Sequence, residues 1–175
     1  CKVLAERSGR RDSNHEFGTN PCSEISLRPY QFCNLTEVVV RSTDTIESLA
    51  YKVRLATILG TIQSTYTKFP YLRKIWQKNT EEERLLGVSL TGIMDNPLMT
   101  SSNKGLSKTL SHLRQEAVRT NEVWSEILGI EQSAAITCCK PSGTVSQLVD
   151  SASGIHARHN DYYVRRIRVG KNEAI

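Results

Sequence analysis

Apolar residues recur at helical spacing along two long stretches of the chain. Ile46, Leu49, Ala50, Val53, Ala56, Leu59 and Ile62 follow the spacing of one helix face. Asp44-Thr45-Ile46-Glu47 stands before them like a capping box, carboxylate first and Glu three later. The pattern predicts a helix to about Thr67, before Phe69-Pro70. Leu106, Leu110, Leu113, Ala117, Trp124 and Leu128 form a second stripe, predicting a helix over 104–128. Gly129 sits where a helix C-terminal glycine belongs.

Between and around these helices the patterning is of the strand type. Residues 20–27 and 32–40 read as extended segments punctuated by Arg28-Pro29-Tyr30. Thr80-Glu81-Glu82-Glu83 repeats the capping signature, and the glycine-bearing run Leu85 to Ile93 suits a buried strand. Ala134 to Cys139 reads as a short buried strand, Lys140 to Thr144 as a turn, and Val145 to Ala152 as a short helix. Tyr162 to Val169 alternates like a strand with arginine on one side, and residues 1–19 read as loop or short helix. Strands alternating with long helices predict an α/β fold.

Composition narrows the setting. The 175 residues suffice for one domain with a core, and 38% hydrophobic with 23% charged residues is an ordinary soluble balance. No apolar run reaches bilayer length, and the opening Cys1-Lys2-Val3-Leu4 does not resemble a secretory leader. With no initiator Met and an end at Lys171-Asn172-Glu173-Ala174-Ile175, the chain reads as a piece of a longer one, cut at both ends. The net charge of +5 concentrates in Arg7 to Arg11 and in Arg158 to Lys171, which includes Arg165, Arg166 and Arg168. Such a balance permits nucleic acid or a phosphorylated small molecule, but no aromatic–basic interleaving of the single-strand-binding kind runs through the chain. Five cysteines, an odd number without a CxxC pair, point away from a secreted disulfide framework and towards a reducing cytosol.

Several constellations could carry chemistry. In Gly18-Thr19-Asn20-Pro21-Cys22-Ser23-Glu24-Ile25, an extended backbone would put Asn20, Cys22 and Glu24 on one face, with Cys33 on an adjacent strand. A carboxylate beside a thiol raises the thiol pKa, which disfavours thiolate catalysis and suits hydrogen-atom exchange by a neutral thiol. An edge strand with two structural cysteines would look the same. Thr137-Cys138-Cys139-Lys140-Pro141-Ser142-Gly143-Thr144-Val145 reads as strand, turn and helix start, a phosphate cradle with Ser142, Gly143 and Thr144 as contacts, or simply a capped helix. Gly87 to Gly92 mimics a phosphate loop but lacks its lysine, so tight strand packing is the better reading. His156 and His159 with Cys138 and Cys139 lack zinc-site spacing and read as a basic loop. Tyr162 to Arg168 suits phosphate contact or a solvated basic face.

Asn20-Pro21-Cys22-Ser23-Glu24-Ile25 followed by Phe32-Cys33-Asn34-Leu35-Thr36-Glu37-Val38 resembles the catalytic segment of ribonucleotide reductase large chains. Asn79 to Ile93, Lys140-Pro141-Ser142-Gly143-Thr144-Val145-Ser146 and Ser153-Gly154-Ile155-His156-Ala157-Arg158 resemble the adenosylcobalamin-dependent, triphosphate-reducing branch, in family order. The resemblance implies the later part of a ten-stranded α/β barrel, a partial catalytic domain over 1–175, with the catalytic Cys on a central loop. It implies Cys22 as the thiyl radical, Glu24 as base, Asn20 as ribose contact and Cys33 as one of two redox-active cysteines, its partner lying outside this chain. Pro141, Ser142, Gly143 and Thr144 fall where the family binds substrate phosphates. It further implies adenosylcobalamin, a ribonucleoside triphosphate substrate, a thioredoxin-like dithiol reductant, a deoxynucleotide effector bound elsewhere, and a cytoplasmic setting without membrane or direct nucleic-acid contact. Two other readings stay open: a large subunit whose radical comes from a metal-containing partner subunit, and a non-catalytic basic domain that binds nucleotides or nucleic acid.

Overall fold

The computed structural model describes residues 2–100, 104–164 and 166–173. Cys1 and Arg165, both singled out above, lie outside them. The elements run α1 (Lys2–Ser8), β1 (Gly18–Thr19), β2 (Ser26–Leu27), β3 (Asn34–Val39), α2 (Ile46–Gln63), α3 (Lys74–Glu83), β4 (Leu86–Thr91), α4 (Leu106–Leu128) and α5 (Thr144–Leu148).

Strands β3 and β4 pair in parallel from Asn34↔Leu86 to Val39↔Thr91. Residues 135–138 extend the sheet on the far side of β4 through the parallel bridge Val88↔Thr137 and the bonds Val88 N to Ile136 O and Cys138 N to Val88 O. Parallel neighbours need crossovers, and helices α2, α3 and α4 supply them. The fold is therefore α/β. β1 and β2 form a separate antiparallel hairpin.

Alternation along the strands divides the sheet's two faces. Val38 and Val88 join Leu49, Ala50, Val53 and Ala56 of α2 and Leu113 and Ala117 of α4 in the core. Gly60 of α2 lies against Leu86 and Thr36, at ordinary contact distance for an added Cβ. The opposite face carries Leu35 and Glu37 from β3 and Gly87 and Ser89 from β4, and Ile25 packs there beside Gly87.

Several sequence expectations shift here. The N-cap of α2 is Thr45, and Ser48 completes the capping box in place of Glu47. Asp44 is drawn off instead by Lys52, 2.6 Å away, and by the Arg41 amide. The helix ends at Gln63, not near Thr67: just past it Ser64 and Thr65 turn their hydroxyls back onto the Thr61 and Ile62 carbonyls, offering the last turn a local alternative to continuing. Thr80 to Glu83 ends helix α3 instead of starting one. Arg84 adopts a left-handed backbone (φ 42°), its amide bonding to Thr80 O, and β4 follows at once. Helix α3 itself lacks an apolar stripe; Trp76 anchors it by stacking on Phe32 with ring centres 4.6 Å apart. Helix α5 stops at Leu148, short of Ala152, and the chain turns at Asp150 (φ 46°). The described residues of 162–169 form no strand, being exposed and without ladder bonds.

A buried ion pair fixes the N-terminal segment to this body. Arg11 donates to both Glu83 oxygens at 3.1 and 2.8 Å, and Gln31 adds a third donor. Both charged side chains are 4% exposed.

Candidate active site

Cys22 sits at the tip of the β1–β2 hairpin. Pro21 presets the turn, the Ser23 amide bonds to Asn20 O at 2.9 Å, and Ser23 takes φ 62°. Asn20 closes the loop by donating its amide to Ile25 O at 3.3 Å and accepting the Ile25 amide on Oδ1 at 3.0 Å. Residues 20–24 are therefore not extended, and the one-face arrangement expected of Asn20, Cys22 and Glu24 does not form. The turn leaves the Cys22 thiol exposed and carries Glu24 back towards the sheet.

The docking point is Gly87. A Cβ there would meet Leu35 Cδ2 at 2.4 Å, Cys138 Sγ at 3.1 Å and Ile25 Cδ1 at 3.2 Å. Only a glycine lets the buried Ile25 pack onto β4 while the Cys138 sulfur reaches in from the neighbouring segment. Cys33 precedes β3 with the same parity as Leu35. Cys33 and Cys138, two of the four free cysteines among the described residues, thus lie on this face close to Glu24.

The electrostatics keep those thiols neutral. Burial, then the proximity of Cys138 and Glu24, pushes the Cys33 thiol up to about 12. Burial, then Glu24, pushes Cys138 up to about 12 as well. One oxygen of Glu24 and both of Glu37 are buried without a hydrogen-bond partner. An unpartnered buried carboxylate oxygen is costly unless a ligand hydroxyl completes it. Two protonated thiols beside such an acceptor can exchange hydrogen atoms or electrons and pass a proton to the carboxylate. They are poor thiolate nucleophiles.

The structure thus brings Cys33 and Glu24 together and adds two residues that the sequence did not place there, Cys138 and Glu37. Glu37 carried a signal, since it lies four residues beyond Cys33 on the same strand face. Cys138 carried a weaker one: next to Cys139, it had to take the opposite face. His156, His159, Cys138 and Cys139 do not gather, and no group of three candidate metal ligands occurs among the described residues.

The Pro141–Thr144 turn follows this cysteine strand at the carboxyl end of the sheet, the usual place for ligands in parallel α/β folds. Ser142 is fully buried with an unpartnered Oγ, whereas Pro141, Gly143 and Thr144 are exposed. The carbonyls of Ser142 and Gly143 accept from Ser146 Oγ at 3.1 and 2.7 Å. Behind the sheet, Leu90, Met99, Leu113, Cys139 and Lys140 help to line a cavity of about 610 Å³. No helix among the described residues is long and apolar enough to cross a membrane.

No protein-family model matches the chain. It is 28% identical to an adenosylcobalamin-dependent ribonucleoside-triphosphate reductase of Lactobacillus delbrueckii subsp. bulgaricus, over 90% of this chain and 24% of that protein. It is 31% identical to the Lactobacillus acidophilus reductase of the same name, over 86% of this chain and 23% of that one. A probable adenosylcobalamin-dependent ribonucleoside-triphosphate reductase of Dictyostelium discoideum is 32% identical over 89% of this chain and 20% of its own length. The crystal structure of a B12-dependent (class II) ribonucleotide reductase superposes with a TM-score of 0.69 at 28% identity, covering 83% of this chain and 23% of the other. The chain spans about a quarter of the length of the curated relatives it matches. In sequence and in fold, it matches one segment of class II ribonucleotide reductases.

Proposed function

We propose that this chain is part of the catalytic barrel domain of a radical enzyme that reduces ribonucleoside triphosphates to 2′-deoxyribonucleotides. The observation that carries the reading is the Glu24 carboxylate. It has a buried unpartnered oxygen, neutral thiols at Cys33 and Cys138 beside it, and an exposed Cys22 two residues away at the hairpin tip. Relatives that bear the same name over most of this chain support it.

In this reading a thiyl radical at Cys22 takes the 3′ hydrogen of the ribose and returns it at the end. Glu24 accepts the 3′-hydroxyl proton, and the 2′-hydroxyl leaves with a proton as water. Asn20, whose oxygen braces the hairpin, offers its amide nitrogen to the sugar. The two electrons come from two thiols, Cys33 and a cysteine outside this chain, which become a disulfide. The balance is ribonucleotide plus dithiol giving deoxyribonucleotide, disulfide and water. A thioredoxin-like dithiol restores the pair, and a deoxynucleotide effector acts from elsewhere in the whole protein. Ser142, Gly143 and Thr144, with Pro141 shaping the turn, hold the phosphates. The free cysteines suit a cytoplasmic setting.

The relatives are named for adenosylcobalamin. In this reading the cofactor supplies the radical that Cys22 carries.

The test is reduction of ribonucleoside triphosphates by the complete protein with a dithiol, with and without adenosylcobalamin. Turnover with the cofactor, abolished by Cys22→Ser and slowed by Glu24→Gln without loss of substrate binding, is the expected result. Turnover only on adding a metal-containing partner subunit would move the radical source. Full activity in both variants would overturn the reading.

A further inference from the structure

We infer that Arg158 is a positioning residue for the phosphate-binding turn 141–144, acting through Asp95. This rests on the phosphate role proposed above for that turn. The turn has little to hold it from within. Helix α5 behind it is only five residues long, its N-cap Gly143 has no capping side chain, and three of the four turn residues are exposed.

What holds the turn is the segment that follows α5. Ser153 Oγ donates to the Ser142 carbonyl. Gly154 (φ 54°) packs so closely that an added Cβ would stand 3.2 Å from Lys140 O and 3.4 Å from Ser142 N. This segment is stitched to the end of β4: Gly92 N donates to Ala152 O at 2.8 Å, and Gly154 N to Thr91 Oγ1 at 2.9 Å.

Asp95, in the turn just after β4, accepts the Ala152 amide at 2.8 Å. Its other partner is Arg158, whose Nε and one terminal nitrogen reach the two carboxylate oxygens at 3.0 and 3.2 Å. The same guanidinium donates to the Asp150 carboxylate and carbonyl at 2.9 and 3.0 Å. Arg41, just past β3, donates to the Val149 and Asp150 carbonyls at 2.5 and 2.7 Å. Two planar forks thus grip the left-handed bend at Asp150 and tie it to the ends of β3 and β4. The Arg158–Asp95 pair is half-exposed on the arginine side and 17% exposed on the aspartate side. Lysine, a point charge, cannot make all four contacts.

The experiment compares the complete protein with Arg158→Ala, Arg158→Lys and Asp95→Asn. Triphosphate reduction is measured alongside equilibrium binding of a ribonucleoside triphosphate and of the unphosphorylated ribonucleoside. Arg158→Ala should raise KM for the triphosphate about fivefold with kcat nearly unchanged, the scale of an ion pair of this exposure. Arg158→Lys should recover part of the loss, and binding of the unphosphorylated nucleoside should not move. Asp95→Asn should follow the same pattern, and it serves if Arg158→Ala fails to fold. An active protein whose KM is insensitive to both changes, or whose Tm and kcat fall without a KM change, overturns the inference and leaves the reductase reading standing. A protein that binds triphosphate without reducing it, and binds it more weakly as Arg158→Ala, overturns the reductase reading and keeps the inference.

Discussion

Gly87 and Cys138 touch across the sheet: a Cβ on residue 87 would stand 3.1 Å from the Cys138 sulfur and 2.4 Å from the tip of Leu35. The Leu35 tip borders solvent and can swing away, whereas Ile25 is buried and must be pushed with its hairpin. Gly87→Ala should therefore destabilise the fold by only about 1 kcal/mol. It should nevertheless lower kcat at least tenfold, because the displaced hairpin carries Cys22. Paired measurement of the Tm and of reductase kcat checks this; a drop in stability with unchanged kcat contradicts it.

The thiols should divide by accessibility and pH. Cys22 and Cys139 are exposed, so a small alkylating reagent at neutral pH should label them first. Cys33 and Cys138, whose thiols are held up to about 12, should resist. Their raised folded pKa values have a second consequence. Unfolding releases thiols that ionise near 9, so the stabilisation is complete below pH 9 and is lost as pH rises from there towards 12. Replacing Cys33 by Ala should flatten that alkaline slope in denaturant melts taken at successive pH values.

Arg11 and Glu83 form a pair in which neither charge can reach water. Removing Arg11 leaves the buried Glu83 with only Gln31 at 2.5 Å and the more distant Arg28 at 3.9 Å, so Arg11→Ala should cost roughly 3 kcal/mol. The double change Arg11→Met with Glu83→Leu should cost much less. Equal losses from the single and double variants, read by denaturant unfolding of the complete protein, would show that the pair is not the source of the effect.

Gly129 ends α4 with φ 64°, and nothing lies within 4 Å of where its Cβ would be. Gly129→Ala therefore isolates backbone strain, and about 1 kcal/mol of destabilisation is expected. Gly129→Asn should cost less, since asparagine tolerates the left-handed region. The two melting curves decide it.

The sequence made some elements legible because local chemistry and burial agreed. Residues Leu86–Thr91 combine apolar residues with glycine and small hydroxyl residues, and they form the strand almost wholly buried within the sheet. Gly129 caps the helix that its position announces. The boundaries of α2 were misread because three of its buried residues are Thr57, Gly60 and Thr61, which no hydrophobic pattern marks, while Leu59 is 63% exposed. Helix α4 hides the same way: Asn121 is buried between α2 and the 130s, bonding Thr61 Oγ1 at 3.0 Å and Ser133 Oγ at 3.1 Å. Helix α3 was invisible because aromatic stacking from Phe32, far away in sequence, supplies its anchor. Of the candidate site, the motif residues were legible but their geometry was not. The hairpin depends on Ser23 adopting a left-handed turn and on the docking of Ile25 at Gly87, 62 residues beyond Ile25, neither of which a period of two can reveal.

The parallel ladder also sets an order of events on the ribosome. The Asn34 side chain bonds the Leu85 carbonyl, 51 residues later, and at roughly 5–20 residues per second β3 waits several seconds for its partner strand. During that wait α2 offers apolar cover, since its Leu49 and Val53 follow Val38 and Val40 closely and share their core. The capping box of Thr45 and Ser48 starts that helix from purely local bonds, so the apolar face of β3 can be covered before β4 emerges to pair with its edge.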